Sequence, residues 1–373
     1  VNRAEVIVDL GAIESNLKRI LGSTTATGLA VVKANAYGHG LVPVAERALR
    51  AGAKWLGTAL LEEALTLRSS GITAPVLAWL TPTTSDFENA IRNDIDLAIP
   101  AVEHLEAVIE AGKKLGKQAR IHLEVDTGMS RGGALREWIP LCNRAKQAAD
   151  AGHVQVVGLW SHFARADEPG EKFNDEQIAS FNLRVADAKE SGLAPELIHL
   201  GNSAATINDK RAHHDLVRIG ISMYGLSPSV ETMGGSESLG LIPAMSIRAQ
   251  LHLVKDVPVG SQVGYGGTAV TDRDTKLGII PMGYADGIPR SANSSAGVLV
   301  GNVKAPIIGR VSMDQFVVDL GNDSIARAGD WAYLISPIDS PGYTADAWAQ
   351  ASGTINYEIV TRIAPRVPRI YMN

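Results

Sequence analysis

The sequence predicts an α/β chain, an N-terminal (β/α)8 barrel followed by a mainly β domain, and three observations carry that expectation. Between about Gly28 and Leu226, eight short aliphatic or β-branched runs alternate with longer segments of helical periodicity, the pattern of βα units around a parallel sheet. Several helical segments end at a glycine suited to the left-handed position that closes a helix: Gly52, Gly71, Gly116, Gly152 and Gly192. Beyond about residue 230 the helical period gives way to short strands separated by turn residues.

The eight runs are 29–34, 55–59, 75–80, 95–99, 120–125, 154–162, 197–202 and 216–221, with helices expected between them at 101–115, 135–151 and 174–191 among others. Eight such units fit a closed barrel. An open doubly wound sheet is the competing arrangement, and the absence of G-x-G-x-x-G after any early strand counts against its dinucleotide-binding form. The Gly/Ser-rich stretch 232–240 marks a boundary, so residues 1–236 are assigned to the barrel and 237–373 to the β domain. The first strand, at about residues 3–9, is a candidate to pair with the second domain. In that domain Met245, Ile247, Ala249, Leu251 and Leu253 alternate with polar neighbours. Further strands are expected at 277–281, 298–301, 306–308 and 315–320, and a last helix, 354–363, starts at a capping Thr354 and stops before Pro365.

Composition narrows the partners. The 373 residues carry 40 acidic and 35 basic side chains for a net charge of -5, without long like-charge blocks, so neither a nucleic-acid footprint nor a polybasic membrane patch is indicated. Cys142 is the only cysteine, which excludes an intrachain disulfide and a paired-thiol zinc site. No metal centre is expected, since the adjacent His213 and His214 lack an H-E-x-x-H context. There is no signal-like h-region at the start and no apolar run approaching the roughly 20 residues of a spanning helix, so a cytoplasmic protein acting on a small molecule is expected.

In a (β/α)8 barrel, reacting groups sit at the C-terminal ends of the strands. The first run ends in Lys33, the sixth in Ser161-His162 and the seventh in Gly201-Asn202-Ser203, and the eighth carries Arg218-Ile219-Gly220. A lysine among aliphatic and small residues is costly to bury as an ammonium, and desolvation makes it a better nucleophile toward an aldehyde. Alone it would be read as a strand-end lysine reaching water. Phosphate sites in such barrels lie after strands 7 and 8, where Ser203 and the Gly220 and Ile221 amides fall. A lysine facing a phosphate site is the arrangement that holds pyridoxal 5'-phosphate.

The segment Val31-Val32-Lys33-Ala34-Asn35-Ala36-Tyr37-Gly38-His39-Gly40 closely resembles the cofactor-lysine motif of the alanine racemases. Further matches follow in order: Val125-Asp126-Thr127-Gly128-Met129-Ser130-Arg131, Trp160-Ser161-His162-Phe163-Ala164, Gly201-Asn202-Ser203, Arg218-Ile219-Gly220-Ile221-Ser222-Met223-Tyr224-Gly225, Val263-Gly264-Tyr265-Gly266, Gly283-Tyr284-Ala285-Asp286-Gly287, Gly309-Arg310-Val311-Ser312-Met313-Asp314 and Arg366-Val367-Pro368-Arg369. The resemblance implies a pyridoxal-phosphate isomerase that interconverts L- and D-alanine and supplies D-alanine for peptidoglycan. It also implies a head-to-tail homodimer with shared active sites.

By the same resemblance Lys33 carries the cofactor and is one acid/base group, and Tyr265 of the other subunit is the second. Two unlike groups on opposite faces of a carbon supply what racemisation needs. His162 resembles the histidine that hydrogen-bonds the tyrosine, and Arg218 the arginine between that histidine and the pyridine nitrogen. Tyr37, Ser203, Gly220, Ile221 and Tyr357 match the phosphate shell; Arg131 matches the arginine that grips the substrate carboxylate or the cofactor hydroxyl, and Met313 of the other subunit matches a backbone donor to that carboxylate. Asp167, Tyr284, Arg290, Arg310 and Asp314 match the access corridor and its surroundings, where structural ion pairs are an equal expectation. One position departs from the family pattern. Many members carry a carbamylated lysine seven residues before the substrate arginine; here Glu124 stands there and is expected to pair with Arg131 directly or through water. The alternatives are an amino-acid decarboxylase of the same layout, disfavoured because its partner-subunit cysteine has no counterpart in the second domain, and a noncatalytic carrier of the cofactor, disfavoured by the extra domain.

Overall fold

Strand β1 (Ala4–Asp9) does not join the barrel that follows it in the chain. In the computed structural model, which describes residues 2–373, the chain divides into two units. One comprises Ile13–Ala36 and Leu41–Leu241; the other takes the residues up to Ala12, Tyr37–Gly40 and Ile242–Asn373.

The first unit is built on β2 (Thr27–Val31), β3 (Trp55–Thr58), β4 (Val76–Ala78), β5 (Ile95–Ile99), β6 (Ala119–Glu124), β7 (Val154–Trp160), β8 (Leu197–His199) and β9 (Leu216–Ile219). Their ladder order is β8-β7-β6-β5-β4-β3-β2-β9, and every pair is parallel. The Asp215 amide donates to the Ile198 carbonyl at 3.0 Å and the Arg218 amide to the Gly201 carbonyl at 2.9 Å, which joins β9 to β8 and closes the (β/α)8 barrel. A parallel sheet is covered on both faces, so its strands read as continuous apolar runs. All five residues of β5 and all four of β3 are buried, with Leu29, Leu56, Leu77 and Ile95 among the fully enclosed side chains. Helices such as Val102–Leu115, Trp138–Asp150 and Lys172–Glu190 follow the strands, the first closed by Gly116 at φ +62°, where any other residue would be strained. The strands end earlier than the apolar runs. Lys33 lies beyond β2 and His162 beyond β7, so both are held by loop backbone at the rim.

In the second unit β1 pairs antiparallel with β10 (Met245–Gln250) and parallel with the C-terminal strand Arg369–Met372. After β10 come β11 (Leu253–Val257), β12 (Gln262–Val263), β13 (Ala269–Val270), β14 (Thr275–Ile280), β15 (Gly297–Val300), β16 (Val303–Pro306), β17 (Phe316–Asp319), β18 (Trp331–Ile335) and β19, the C-terminal strand. They form a six-stranded sheet, β16-β15-β18-β10-β1-β19, a three-stranded sheet, β11-β14-β17, and the β12-β13 hairpin. Strand β10 alternates as expected, with Met245, Ile247 and Ala249 inward. The strand expected at 306–308 instead lies at β16, with only an isolated bridge at Ile307. The last helix is shorter than expected, Asn356–Thr361. Its N-cap is Ile355, because the Thr354 hydroxyl bonds the Glu358 carboxylate instead of a backbone amide. Helix Ala345–Ser352, capped by Thr344, had no clear sequence signal.

A fully enclosed carboxylate organises one corner of this unit. Asp286 receives Arg366 Nε at 2.6 Å and Nη2 at 2.9 Å, Arg3 Nη2 at 2.5 Å and the Gly283 amide at 2.9 Å, while Arg366 also reaches Asp314 at 2.7 Å. Burial pushes the Asp286 carboxyl up, but the Arg366 and Arg3 hydrogen bonds outweigh it and hold it below the usual carboxylate range. Its stabilisation is therefore present above the unfolded value near 4 and fades as the pH falls through the lower folded value. Asp286→Asn is expected to lower stability by about 1–3 kcal/mol near pH 7, the arginines being half-exposed, and to flatten the acid limb of the melting temperature against pH.

Candidate active site

Because all eight barrel strands run the same way, the side chains at their C-terminal ends share one rim. Lys33, Glu124, Arg131, His162, Ser203, Arg218, Gly220 and Ile221 all lie on or just beyond those ends, in a single unit. Residues 34–37 follow Lys33 with φ between +52° and +54°, a left-handed turn of four non-glycine residues that costs about 1–2 kcal/mol per residue. The turn is held in the barrel unit by the Ala36 amide on the Val32 carbonyl (2.8 Å) and by the Asn35 side chain accepting from the Leu41 amide (2.9 Å). Strain of this kind persists only where its surroundings impose it, and here it fixes the backbone that carries Lys33.

The Lys33 amine is half-buried, lies 5.8 Å from the centre of the Trp79 ring, and has no hydrogen-bond or ion-pair partner among the described residues. Burial lowers its pKa, the Arg131 and Arg218 charges lower it further, and Glu63 opposes them. This favours the neutral amine, the form that attacks an aldehyde.

Arg218 is enclosed. Its Nη1 donates to the His199 carbonyl and Nδ1, each at 3.2 Å; its Nη2 donates to the carbonyls of Ser161 (2.9 Å) and Leu200 (3.1 Å) and to His162 Nδ1 (3.2 Å). Those five acceptors occupy both terminal nitrogens and leave Nε–H as the donor without a partner among the described residues. Burial lowers the Arg218 pKa to about 9, against Glu124 and with Arg131, so the group is still cationic at neutrality. Trp160 lies beneath it, 4.9 Å from the guanidinium carbon.

His162 is held well below its ordinary pKa by burial, then by Arg218, Arg131 and Lys33, and is therefore neutral. Since arginine can only donate, Nδ1 of His162 is the acceptor and its proton sits on Nε2. Ser203 Oγ accepts the Gly220 amide at 2.8 Å, while the neighbouring Asn202, not Ser203, caps helix Ser203–Asn208 by accepting from the Ala205 amide. Ser222, one residue past Ile221, has a buried hydroxyl with no hydrogen-bond partner. Asp167 is half-buried, and its carbonyl accepts the Thr232 hydroxyl.

Of the two pairings expected for Glu124, the direct one is absent. No ion pair joins it to Arg131, whose side chain is exposed; the Glu124 carboxylate lies against Gly132, where an added Cβ would meet Oε1 at 2.8 Å. Burial pushes the Glu124 pKa up to about 7, with Arg218 and Arg131 opposing and Asp126 adding to the rise. A raised carboxyl stabilises the fold fully below its unfolded value and loses that contribution as the pH rises through 7. Glu124→Gln is therefore expected to melt higher than the parent at about pH 8, with the difference gone near pH 4.5; equal melting at both values would exclude the shift.

In the second unit, Tyr265 opens a short turn between Gly264 (φ +70°) and Gly266 (φ +74°), and the phenol is 73% exposed. Arg310 lies beside this turn, 3.5 Å from where a Cβ on Gly266 would stand. Tyr284 and Met313 are exposed on adjoining segments tied by the Tyr284 amide to the Ser312 carbonyl (3.0 Å) and the Ala285 amide to the Met313 carbonyl (2.9 Å), above the Asp286 cluster. Arg290 and Arg310 are exposed and form no ion pair within 4 Å among the described residues; Asp314 pairs with Arg366. Tyr37 is buried, with its pKa raised by that burial, and its ring centre is 6.2 Å from that of Tyr357. Trp79, Trp160, His199 and Ser222 were not singled out in the sequence, although Trp79 and Trp160 stand in the strand-end positions where such residues are to be sought.

Residues 8–228 match the model of the alanine racemase N-terminal domain and residues 244–371 that of the C-terminal domain. The chain belongs to the alanine racemase family. An alanine racemase of Salinispora tropica is 49% identical over 371 residues, covering 99% of this chain and 98% of the relative, and one of Streptomyces coelicolor is 46% identical over 380 residues, covering 100% and 97%. Among solved structures, the alanine racemase of Streptomyces lavendulae superimposes with a TM-score of 0.98 at 46% identity, covering 100% of this chain and 98% of that one. An alanine racemase of Bacillus anthracis with bound L-Ala-P gives 0.91 at 38%, covering 100% and 96%. Alanine racemases work with pyridoxal phosphate, and the rim residues fit that group. A partnerless amine suits an aldehyde, a single spare guanidinium N–H suits a ring nitrogen, and the Ser203 hydroxyl, which accepts the Gly220 amide and keeps its own proton to donate, suits a phosphate together with the unpartnered Ser222 hydroxyl.

Among the described residues no helix is long and apolar enough to cross a membrane.

Proposed function

We propose that this chain interconverts L- and D-alanine by two-base racemisation with pyridoxal 5'-phosphate, Lys33 and Tyr265 being the catalytic pair. The observation that carries the reading is the Lys33 amine, half-buried, depressed in pKa and unpaired, on the same rim as an Arg218 whose spare donor is Nε–H. When bound, the cofactor supplies an electron-withdrawing system that acidifies the α-carbon of the amino acid. Lys33 holds it covalently, and Ser203, Gly220, Ile221, Tyr37 and Tyr357 hold its phosphate. Arg218 offers Nε–H to the ring nitrogen and, keeping its own proton at neutrality, leaves that nitrogen unprotonated, which limits the electron sink and disfavours stray protonation at the cofactor carbon. Arg131, with the Met313 amide of a second subunit, binds the substrate carboxylate.

The Lys33 amine exchanges a proton on one face of the α-carbon. On the other face a phenol of ordinary pKa about 10 must lose its proton to act as a base, and His162, neutral with a proton at Nε2, is a donor suited to stabilising the phenolate. Asp167, Tyr284, Arg290, Arg310 and Asp314 line the approach. The exposure of Tyr265, Tyr284 and Met313 supports a head-to-tail homodimer in which each subunit completes the other's site. Supply of D-alanine for peptidoglycan, in the cytoplasm, is the role that suits the product. The decarboxylase alternative lacks its thiol: Cys142 is buried in a barrel helix, and burial, with Asp187 adding, pushes its pKa up to about 12.

Incubation with L-alanine followed by chiral chromatography tests the reaction; carbon dioxide release, or no inversion by the cofactor-loaded protein, would overturn it. Mixing Lys33→Ala and Tyr265→Phe subunits tests the shared site. Random exchange makes half the dimers mixed, each with one intact site, so activity should recover to about one quarter of the parent. No recovery despite demonstrated exchange would rule out a site completed in trans.

A further inference from the structure

A line of buried polar side chains runs from Arg218 away from the rim into the barrel. Arg218 Nη1 meets His199 Nδ1 at 3.2 Å, His199 Nε2 meets His122 Nδ1 at 2.9 Å, and His122 Nε2 meets Asp96 Oδ2 at 3.3 Å. Asp96 is gripped by Arg120, Nε to Oδ1 at 2.8 Å and Nη2 to Oδ2 at 3.0 Å. Asp96 is 1% exposed, and His122 and His199 are fully enclosed. Trp160 stacks on His199 with the ring planes 4° apart, and Trp55 meets His122 edge-on. Gly158 permits this approach, since a Cβ there would stand 2.1 Å from His122 Nδ1.

The two ends dictate where the protons lie. A carboxylate only accepts, so His122 donates from Nε2, accepts at Nδ1, and takes the proton of His199 Nε2. His199 then accepts at Nδ1, which is what a guanidinium, a pure donor, requires. A second proton on His199 would face an Arg218 N–H, and one on His122 Nδ1 would face the His199 N–H. Only one arrangement, both rings neutral and protonated at Nε2, satisfies every bond in the line.

We propose that Asp96 is a remote positioning residue for Arg218: it fixes the tautomers of His122 and His199, and this one-way line orients the guanidinium so that Nε–H is the donor left for the site. The consequence for catalysis rests on the proposed role of Arg218 opposite the cofactor nitrogen, whereas the tautomers can be read without catalysis.

The experiment uses the loaded enzyme labelled with 15N-histidine, with His122→Gln and His199→Gln assigning the two rings. Both should show a protonated Nε2 and a bare Nδ1; a protonated Nδ1 or a cationic ring at either position overturns the proposal even if the enzyme racemises alanine. In Asp96→Asn the amide oxygen can face His122 only with its NH2 against the Arg120 Nε–H, so the two rings should either keep the parent tautomers with kcat within about threefold of the parent or reverse together with a lowered kcat; one ring reversed without the other would overturn the proposal. Asp96→Leu should release the tautomers, move the visible absorbance maximum of the bound cofactor, and lower kcat at least about tenfold with KM changed less than about threefold. An unaltered histidine spectrum and absorbance in Asp96→Leu would overturn the proposal. Should that variant not fold, the ring protons of the parent enzyme decide: a protonated Nδ1 on either histidine overturns the proposal. Failure of the chiral assay with the expected ring pattern intact would instead count against the proposed reaction.

Discussion

Replacing Lys33 by alanine is expected to reduce racemisation by at least about 10⁴-fold, because one substitution removes both the nucleophile that holds the cofactor and one of two proton-transferring groups, each alone worth about 10²–10⁴. The visible absorbance of lysine-bound cofactor should vanish with it. Stability should change little. The Lys33 side chain makes no hydrogen bond or ion pair among the described residues, its contact being the face of Trp79, and the strained backbone at 34–37 is held by bonds that do not involve the amine. An ordinary melting curve combined with lost absorbance separates a chemical role from a structural one. Retained absorbance at full occupancy would move the covalent site elsewhere and remove the central assignment. Lys33→Arg probes the same point from the other side. It keeps a cation beside Trp79 but cannot form a neutral nucleophile, so it should be as inactive as the alanine variant.

The barrel was legible because its strands are buried on both faces and read as largely apolar runs, β4 without a break and β5 with Asp96 as its one polar residue. Their chemistry was legible for a related reason: Lys33, His162 and Arg218 interrupt or end such runs, where a charge has no structural excuse. The second unit was harder to read. Strands as short as β12 and β13 carry too little period to register, and the six-stranded sheet draws β1 and β19 from opposite ends of the chain, a pairing no local pattern contains. The line behind Arg218 left a signal that went unused. Asp96, His122 and His199 each stand between two aliphatic residues, in Ile95-Asp96-Leu97, Ile121-His122-Leu123 and Ile198-His199-Leu200. A lone polar residue inside a buried strand needs a partner, and three such residues in one barrel could have been set against each other. The direct Glu124–Arg131 ion pair is absent because chain spacing gives no information on which way a short side chain turns; Gly132 leaves the room that Glu124 occupies.

Tyr265→Phe should leave the cofactor bound and its absorbance intact, since no residue of the proposed phosphate or aldehyde shell is altered, while racemisation falls by about 10²–10⁴-fold in both directions. The stronger consequence concerns isotope exchange. With one acid/base group on each face of the α-carbon, removing the phenol silences one face only. In deuterated water the variant should therefore wash deuterium into one enantiomer of alanine, with retention of configuration, at a rate far above its rate of inversion, while the other enantiomer keeps its α-hydrogen. A single-base mechanism predicts that exchange and inversion fall together for both enantiomers. Loss of a merely structural tyrosine predicts little change, because a side chain 73% exposed in the isolated chain buries little apolar area to lose. His162→Asn extends the argument: it removes a donor suited to stabilising the phenolate without touching the phenol, so in the direction where the phenol must be deprotonated the acid-side limb of the rate profile should move up toward the ordinary tyrosine value of about 10. An unmoved profile in that variant would mean that some group other than His162 prepares Tyr265 for its task.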